Sequence, residues 1–182
     1  MNKFILGTAN FGNNYRNVCI PEKECFEILG EYEKRGGTLV DTALDYGNSV
    51  EIINNYIIKN NSKLKMMIKT NEYFEALYKY NNIHAVLSRS NKLFYTKYIH
   101  GQSIYYPHEI NPGAQIVIIP DSILFFDYVP VIKLHSELYV RSHYKIKGLK
   151  LSDSAYAEMI DGYIIGVENK KQLIENMELK NV

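Results

Sequence analysis

Apolar residues are distributed along the chain in short runs. Phe4-Ile5-Leu6, Thr38-Leu39-Val40 and Lys65-Met66-Met67-Ile68 open the series, and Tyr95-Thr96-Lys97-Tyr98-Ile99 and Ser103-Ile104-Tyr105-Tyr106 continue it. Ile116-Val117-Ile118-Ile119, Leu138-Tyr139-Val140 and Tyr163-Ile164-Ile165 complete eight. Several are unbroken by polar residues, the pattern of strands buried on both faces of a parallel sheet. Segments with helical spacing lie between them. Pro21 suits the first turn of a helix, Cys25, Ile28, Leu29 and Tyr32 form an i, i+3, i+4, i+7 stripe, and Gly36 supplies a stop. A second helix is predicted over Ser49 to Lys59, burying Val50, Ile53 and Ile57. A third is predicted over Ile83 to Leu93, and a last over Lys170 to Leu179 with Leu173 and Met177 inward. This alternation predicts an α/β fold.

The second half departs from the pattern. Only His100-Gly101-Gln102 separates Ile99 from Ser103, and His108 to Ala114 contains the turn-forming Pro112-Gly113. Parallel neighbours need about a dozen connecting residues, so several helices here are expected to be shortened or missing. The apolar sheet they would leave bare favours a homo-oligomer or a partner protein.

Size and charge narrow the function classes. A chain of 182 residues predicts one domain, 1–182, with a single core. Its 46% hydrophobic and 23% charged residues are ordinary for a globular protein, and the net charge of +1 gives no field directed at nucleic acid or an anionic membrane. Neither partner is expected. No run approaches the ~18 apolar residues of a membrane span, and Met1-Asn2-Lys3 leads into too short an apolar run for a secretory signal. Cys19 and Cys25 form no disulfide framework and no Cys-x-x-Cys pair. A reduced, cytoplasmic setting is expected. His84, His108, His135 and His143 lack metal-ligand spacing, and no serine stands in a Gly-x-Ser-x-Gly setting, so neither a metal site nor nucleophilic hydrolysis is predicted.

The most informative segment is Val40-Asp41-Thr42-Ala43-Leu44-Asp45-Tyr46-Gly47-Asn48-Ser49, which begins at a strand end and opens a helix. It resembles the hallmark of the aldo/keto reductase family, Asp-Thr-Ala-x-x-Tyr-Gly after the second barrel strand. Leu6-Gly7-Thr8-Ala9-Asn10-Phe11-Gly12 is similar to the family's opening strand and loop. Ile164-Ile165-Gly166-Val167-Glu168-Asn169-Lys170 through Asn176 resembles its last strand and cofactor-binding helix. The resemblance implies a reduced (β/α)8 TIM-type barrel and nicotinamide-dependent reduction of an aldehyde or ketone.

The family works with an Asp, a Tyr, a Lys and a His. On this resemblance, Asp41 and Tyr46 fill the first two places, Lys69 ends the third strand, and His100 ends the fourth. The chemistry needs such a set. An unperturbed tyrosine has a pKa of ~10, and an adjacent ammonium favours its phenolate, which eases proton donation to a developing alkoxide. Lys69 would supply that charge, Asp41 would fix the lysine, and His100 would orient the substrate oxygen. Strand ends put all four on the face where barrel active sites lie.

For the cofactor, Gly166 and Val167 offer backbone to a phosphate, aided by the following helix N-terminus, and Gly7 and Thr8 in the opening strand and loop are further cofactor-binding candidates. Gln172, Glu175 and Asn176 occupy positions that in the family face the adenosine half, Ser103 matches a contact to the carboxamide, and Ser142 or Tyr144 is expected to contact the phosphate or the ring. Lys170 and Lys171 favour NADP over NAD for a 2′-phosphate. The motif style resembles members associated with sugar and surface-polysaccharide metabolism, which implies a sugar-derived carbonyl. The alternative is a catalytically silent barrel acting as a cofactor-binding or protein-interaction scaffold.

Overall fold

The computed structural model describes residues 4–71, 77–90, 97–104, 109–120, 136–142 and 159–178. Among them are the strands β1 (Phe4–Gly7), β2 (Leu39–Ala43), β3 (Lys65–Thr70), β4 (Ile83–Ser88), β5 (Ile99–Ser103), β6 (Ile116–Pro120), β7 (Glu137–Ser142) and β8 (Gly162–Gly166). The helices among them are α1 (Glu22–Lys34), α2 (Ser49–Asn60) and α3 (Lys170–Glu178). Neighbouring strands pair in parallel and in sequence order, and β8 returns to β1 from Phe4–Tyr163 to Gly7–Gly166. The sheet therefore closes as the reduced (β/α)8 barrel that the motifs imply.

Period-two alternation sorts the apolar residues into two compartments. Ile5, Met67, Ala85, Leu87, Ile116, Ile118, Tyr139 and Ile164 fill the barrel, with Leu39 and Ile99 at the margin. Their neighbours in sequence, such as Leu6, Val40, Ile68, Val86 and Val140, belong to the outer core with the helix stripes. Gly101 lies in the inner row of β5. A methyl group there would stand 2.5 Å from the Ile116 carbonyl oxygen and 2.6 Å from Leu87 Cδ2, so only glycine lets these strands close.

The first helix follows the predicted stripe: Cys25, Ile28, Leu29 and Tyr32 are all buried. Tyr32 Oη donates to the carbonyl oxygens of Phe4 (3.0 Å) and Leu39 (2.7 Å), tying α1 to the starts of β1 and β2. The Glu33 carboxylate accepts from Tyr56 Oη, Ser62 Oγ and the Lys63 amide, which joins α1 to α2 and to the approach to β3.

Two elements differ from expectation. Ile83–Ser88, predicted as the start of a helix, is β4. Ile83, Val86 and Leu87 satisfy helical spacing while Ile83, Ala85 and Leu87 satisfy strand spacing, the ambiguity of any short apolar run. Pairing with Met66–Thr70 of β3 resolves it. The runs predicted as separate fourth and fifth strands flank one strand, β5, and residues 91–96 and 105–108 lie outside those described. With this register, residues 104–115 join β5 to β6, about the dozen a parallel crossover requires. The described part of that link is a turn, with the Ala114 amide donating to the Asn111 carbonyl at 3.0 Å.

Candidate active site

Two strands and one turn bring the central groups together. Asp41 follows Leu39 in the inner row of β2, and Lys69 follows Met67 in the inner row of β3. Lys69 Nζ donates to Asp41 Oδ2 at 2.5 Å, and the two side chains are only 2% and 5% exposed. After β2 the chain turns through Leu44–Gly47, with the Leu44 amide donating to the Lys69 carbonyl and the Tyr46 amide to that of Ala43. The turn lays the Tyr46 ring over the lysine, with Nζ 5.1 Å from the ring centroid. Burial by itself lowers the lysine pKa. The Asp41 carboxylate and Tyr46 more than offset it, holding the ammonium above its ordinary value.

These groups line one cavity of about 570 Å³ at the C-terminal mouth of the barrel, together with Gly7, Thr8, Gly166, Gln172 and Asn176. Thr8 Oγ1 donates to the Asp41 carbonyl (2.9 Å) and accepts from Ser49 Oγ (2.9 Å), which pins the ends of β1 and β2 and the start of α2. Gly7 and Gly166 pair across β1 and β8, and among the described residues nothing stands closer than 4.0 Å to where a Gly166 side chain would begin. The two glycines form a backbone cradle open to the cavity.

The structure places several predicted residues elsewhere. His100 is the second residue of β5, not the end of the fourth strand. Ile99 lies at the margin of the barrel interior, so alternation turns His100 outward. Its Nε2 meets the Gly113 carbonyl oxygen (2.9 Å) at the N-terminal rim, the end opposite the mouth. Glu175 faces away from the cavity and pairs with the exposed Lys171 at 3.9 Å, and neither Lys170 nor Lys171 lines the cavity. Val167 is buried and accepts from Asn10 Nδ2 (3.1 Å) through its carbonyl oxygen. Ser103 is buried in the inner row of β5, with its hydroxyl accepting from Arg141 Nη1 at 3.4 Å. Ser142 closes β7 opposite Ile165, and its side chain lies outside the described residues.

The cavity also holds residues that sequence reasoning missed. Arg89 directly follows β4, and Arg141 stands near the end of β7; both line the mouth. Each falls in the inner row by alternation, Arg89 after Leu87 and Arg141 after Tyr139, a signal readable once those strands are in register. Asn10, from the β1–α1 loop, lines the same space. At the start of α3, Asn169 Oδ1 accepts from the Gln172 amide (2.9 Å) and Gln172 Oε1 from the Glu168 amide (2.6 Å), so the helix is capped from within.

The residues present fit a nicotinamide dinucleotide. Asn176 Nδ2 and Asn10 Oδ1 are buried polar atoms of cavity-lining side chains, and neither has a hydrogen-bond partner among the described residues. Orphaned polar groups of this kind are costly unless something polar meets them. The Gly7–Gly166 cradle adds close backbone access. No group of three or more metal-ligating side chains, and no helix long and apolar enough to cross a membrane, occurs among the described residues.

The chain belongs to the aldo/keto reductase family, whose profile matches residues 3–141. No curated protein sequence matches it. Solved structures share the fold. An aldo-keto reductase of Pseudomonas aeruginosa is 14% identical, with a TM-score of 0.74, covering 98% of this chain and 89% of its own. One of Bacillus halodurans, in its holo form, is 14% identical with a TM-score of 0.65, covering 97% of this chain and 85% of its own. One of Klebsiella pneumoniae, in complex with NADPH, is 12% identical with a TM-score of 0.63, covering 96% and 84%.

Proposed function

We propose that this protein reduces an aldehyde or ketone with NAD(P)H, and that Tyr46 is the proton donor. The observation that carries this reading is the stack of Asp41, Lys69 and Tyr46 in one cavity, with Nζ 2.5 Å from the carboxylate and 5.1 Å from the phenol ring centroid. A bound dihydronicotinamide supplies the hydride. Tyr46 holds the proton for the carbonyl oxygen, and the Lys69 ammonium stabilises the phenolate left when that proton moves. Asp41 fixes the lysine in place and offsets its desolvation. Gly7 and Gly166 would hold the phosphate-bearing part of the dinucleotide by backbone, with Gln172 and Asn176 meeting its adenosine half. NADPH is the preferred form, in keeping with the Klebsiella pneumoniae structure. A sugar-derived carbonyl is the substrate to try first.

The test is NADPH oxidation, followed at 340 nm against a panel of aldehydes, ketones and aldoses, alongside a fluorescence titration of NADPH. Tyr46→Phe should bind NADPH as wild type does and lose roughly 100-fold or more in turnover. Equal rates in the variant would remove Tyr46 from the mechanism, and tight NADPH binding without turnover would favour a silent scaffold.

A further inference from the structure

The mouth of the barrel holds a cation beside the phenol that the mechanism above leaves without a task. Arg89 stands with Cζ 5.8 Å from the Tyr46 ring centroid. Its two terminal nitrogens each meet one oxygen of Asp45: Nη2 donates to Oδ1 at 2.8 Å, and Nη1 to Oδ2. A guanidinium offers a flat fork of donors that matches a carboxylate side-on, a fit a lysine cannot reproduce. The fork therefore already displays the ligand geometry it prefers.

Its present acceptor is weakly committed. The Asp45 side chain is 60% exposed, whereas that of Arg89 is 25% exposed. Asp45 sits in the turn after β2, and an exposed pair of this kind is screened by water and salt. One carboxylate can replace another on the fork without leaving the guanidinium bare. Around the cavity, four cationic side chains face three carboxylates, Asp41, Asp45 and Glu168. Moving Asp45 aside leaves two carboxylates against the four, a balance that favours an incoming anion.

We propose that Arg89 is the substrate-recognition residue and that the site takes carbonyl compounds with a carboxylate on the carbonyl carbon. The substrate's carboxylate replaces Asp45 on the Arg89 fork. This rests on the reading that Tyr46 protonates the carbonyl oxygen. A 2-oxo acid carries its carbonyl one bond from its carboxylate, so seating the carboxylate on a fork beside the Tyr46 ring keeps the carbonyl near the phenol. The carbonyl carbon gains a hydride from NAD(P)H, and its oxygen gains the Tyr46 proton. The products are the 2-hydroxy acid and NAD(P)+, and Tyr46 regains its proton from water.

The test is calorimetric titration of the full chain with oxamate, an unreactive carboxylate whose neighbouring carbonyl is an amide. It is run with and without NADPH on wild type, Arg89→Met, Arg89→Lys and Asp45→Asn. Arg89→Met should weaken oxamate at least tenfold, Arg89→Lys should fall between, and Asp45→Asn should tighten it about threefold or more. Oxamide, the uncharged counterpart, should bind far more weakly than oxamate. Flat affinities across the series, no oxamate binding to wild type, or tighter binding of inorganic phosphate than of oxamate would each overturn the assignment. Should Arg89→Met fail to fold, Arg89→Lys and Asp45→Asn still decide it. Failure of wild type to bind NADPH would sink the reductase reading, while the oxamate series without NADPH still reports on Arg89. NADPH binding with a flat oxamate series would sink only the carboxylate inference.

Discussion

Replacing Lys69 with methionine removes the cation from a pair whose side chains are 2% and 5% exposed. The other carboxylate oxygen, Asp41 Oδ1, has no hydrogen-bond partner among the described residues. Among the described residues, no other side-chain bond to the Asp41 carboxylate remains to take over the role of Nζ. Breaking one side of a buried ion pair costs about 3–5 kcal/mol, mainly because a charge is left desolvated without its partner. In a chain of this size each kcal/mol lowers the melting temperature by about 2–4 °C, so Lys69→Met should melt roughly 6–20 °C lower. The double variant Lys69→Met with Asp41→Leu removes both charges at once and should return to within about 2 kcal/mol of wild type. Urea denaturation at pH 7, followed by far-UV circular dichroism, gives both values. Equal losses in the single and double variants would refute the reasoning, because removing the unpaired carboxylate would then recover nothing. Turnover should be lost in both, which separates the role of the pair in stability from its role beside Tyr46.

Two further outcomes follow from the geometry. His100→Ala should leave turnover within about twofold of wild type and cost about 1 kcal/mol for the bond to Gly113; a hundredfold loss of rate would return the imidazole to the mechanism. At alkaline pH, burial pushes the Cys25 thiol and the Tyr56 phenol up to about 12, and it pushes Tyr32 upward as well. Stability from raised groups is fully present below their unfolded values and is lost as pH rises through the folded ones. The urea midpoint should hold to about pH 9 and then fall towards pH 12. Tyr32→Phe should flatten that fall and cost roughly 1–3 kcal/mol at pH 7, since the Phe4 and Leu39 carbonyls lose their donor. A midpoint that does not change across this range would contradict it.

The first half of the chain was readable because its signals are redundant. In α1 the proline start, the apolar stripe and the glycine stop agree, and all four stripe residues are buried. At Asp41, Tyr46 and Lys69 a motif and a strand end point to the same place. The middle was not readable, because its strands carry neither kind of redundancy. Ile83–Ser88 fits two periods, and Ile99–Ser103 holds His100, Gly101 and Gln102 at its centre. Polar residues inside a strand look like a loop unless their partners are known. Here Gln102 is fully buried because it bonds to the Ser90 and Glu109 carbonyls and to the Asn111 amide. Reading Ile83–Ser88 as helix gives the fourth place to the run that ends at Ile99, so the fourth-strand position passes from Arg89 to His100.

The pairing of β1 with β8 bears on when the site comes into being. Phe4–Gly7 has β2 on one flank, and its other flank is satisfied only by Tyr163–Gly166. Until that late segment has left the ribosome, the barrel retains two raw edges, which are surfaces prone to pairing with other chains. The glycine cradle and Asn176 likewise arrive only with closure, whereas Asp41, Tyr46 and Lys69 are assembled from the first half of the chain. A dinucleotide bound as proposed would therefore have its full seat only on a finished barrel, and its binding would report completed folding.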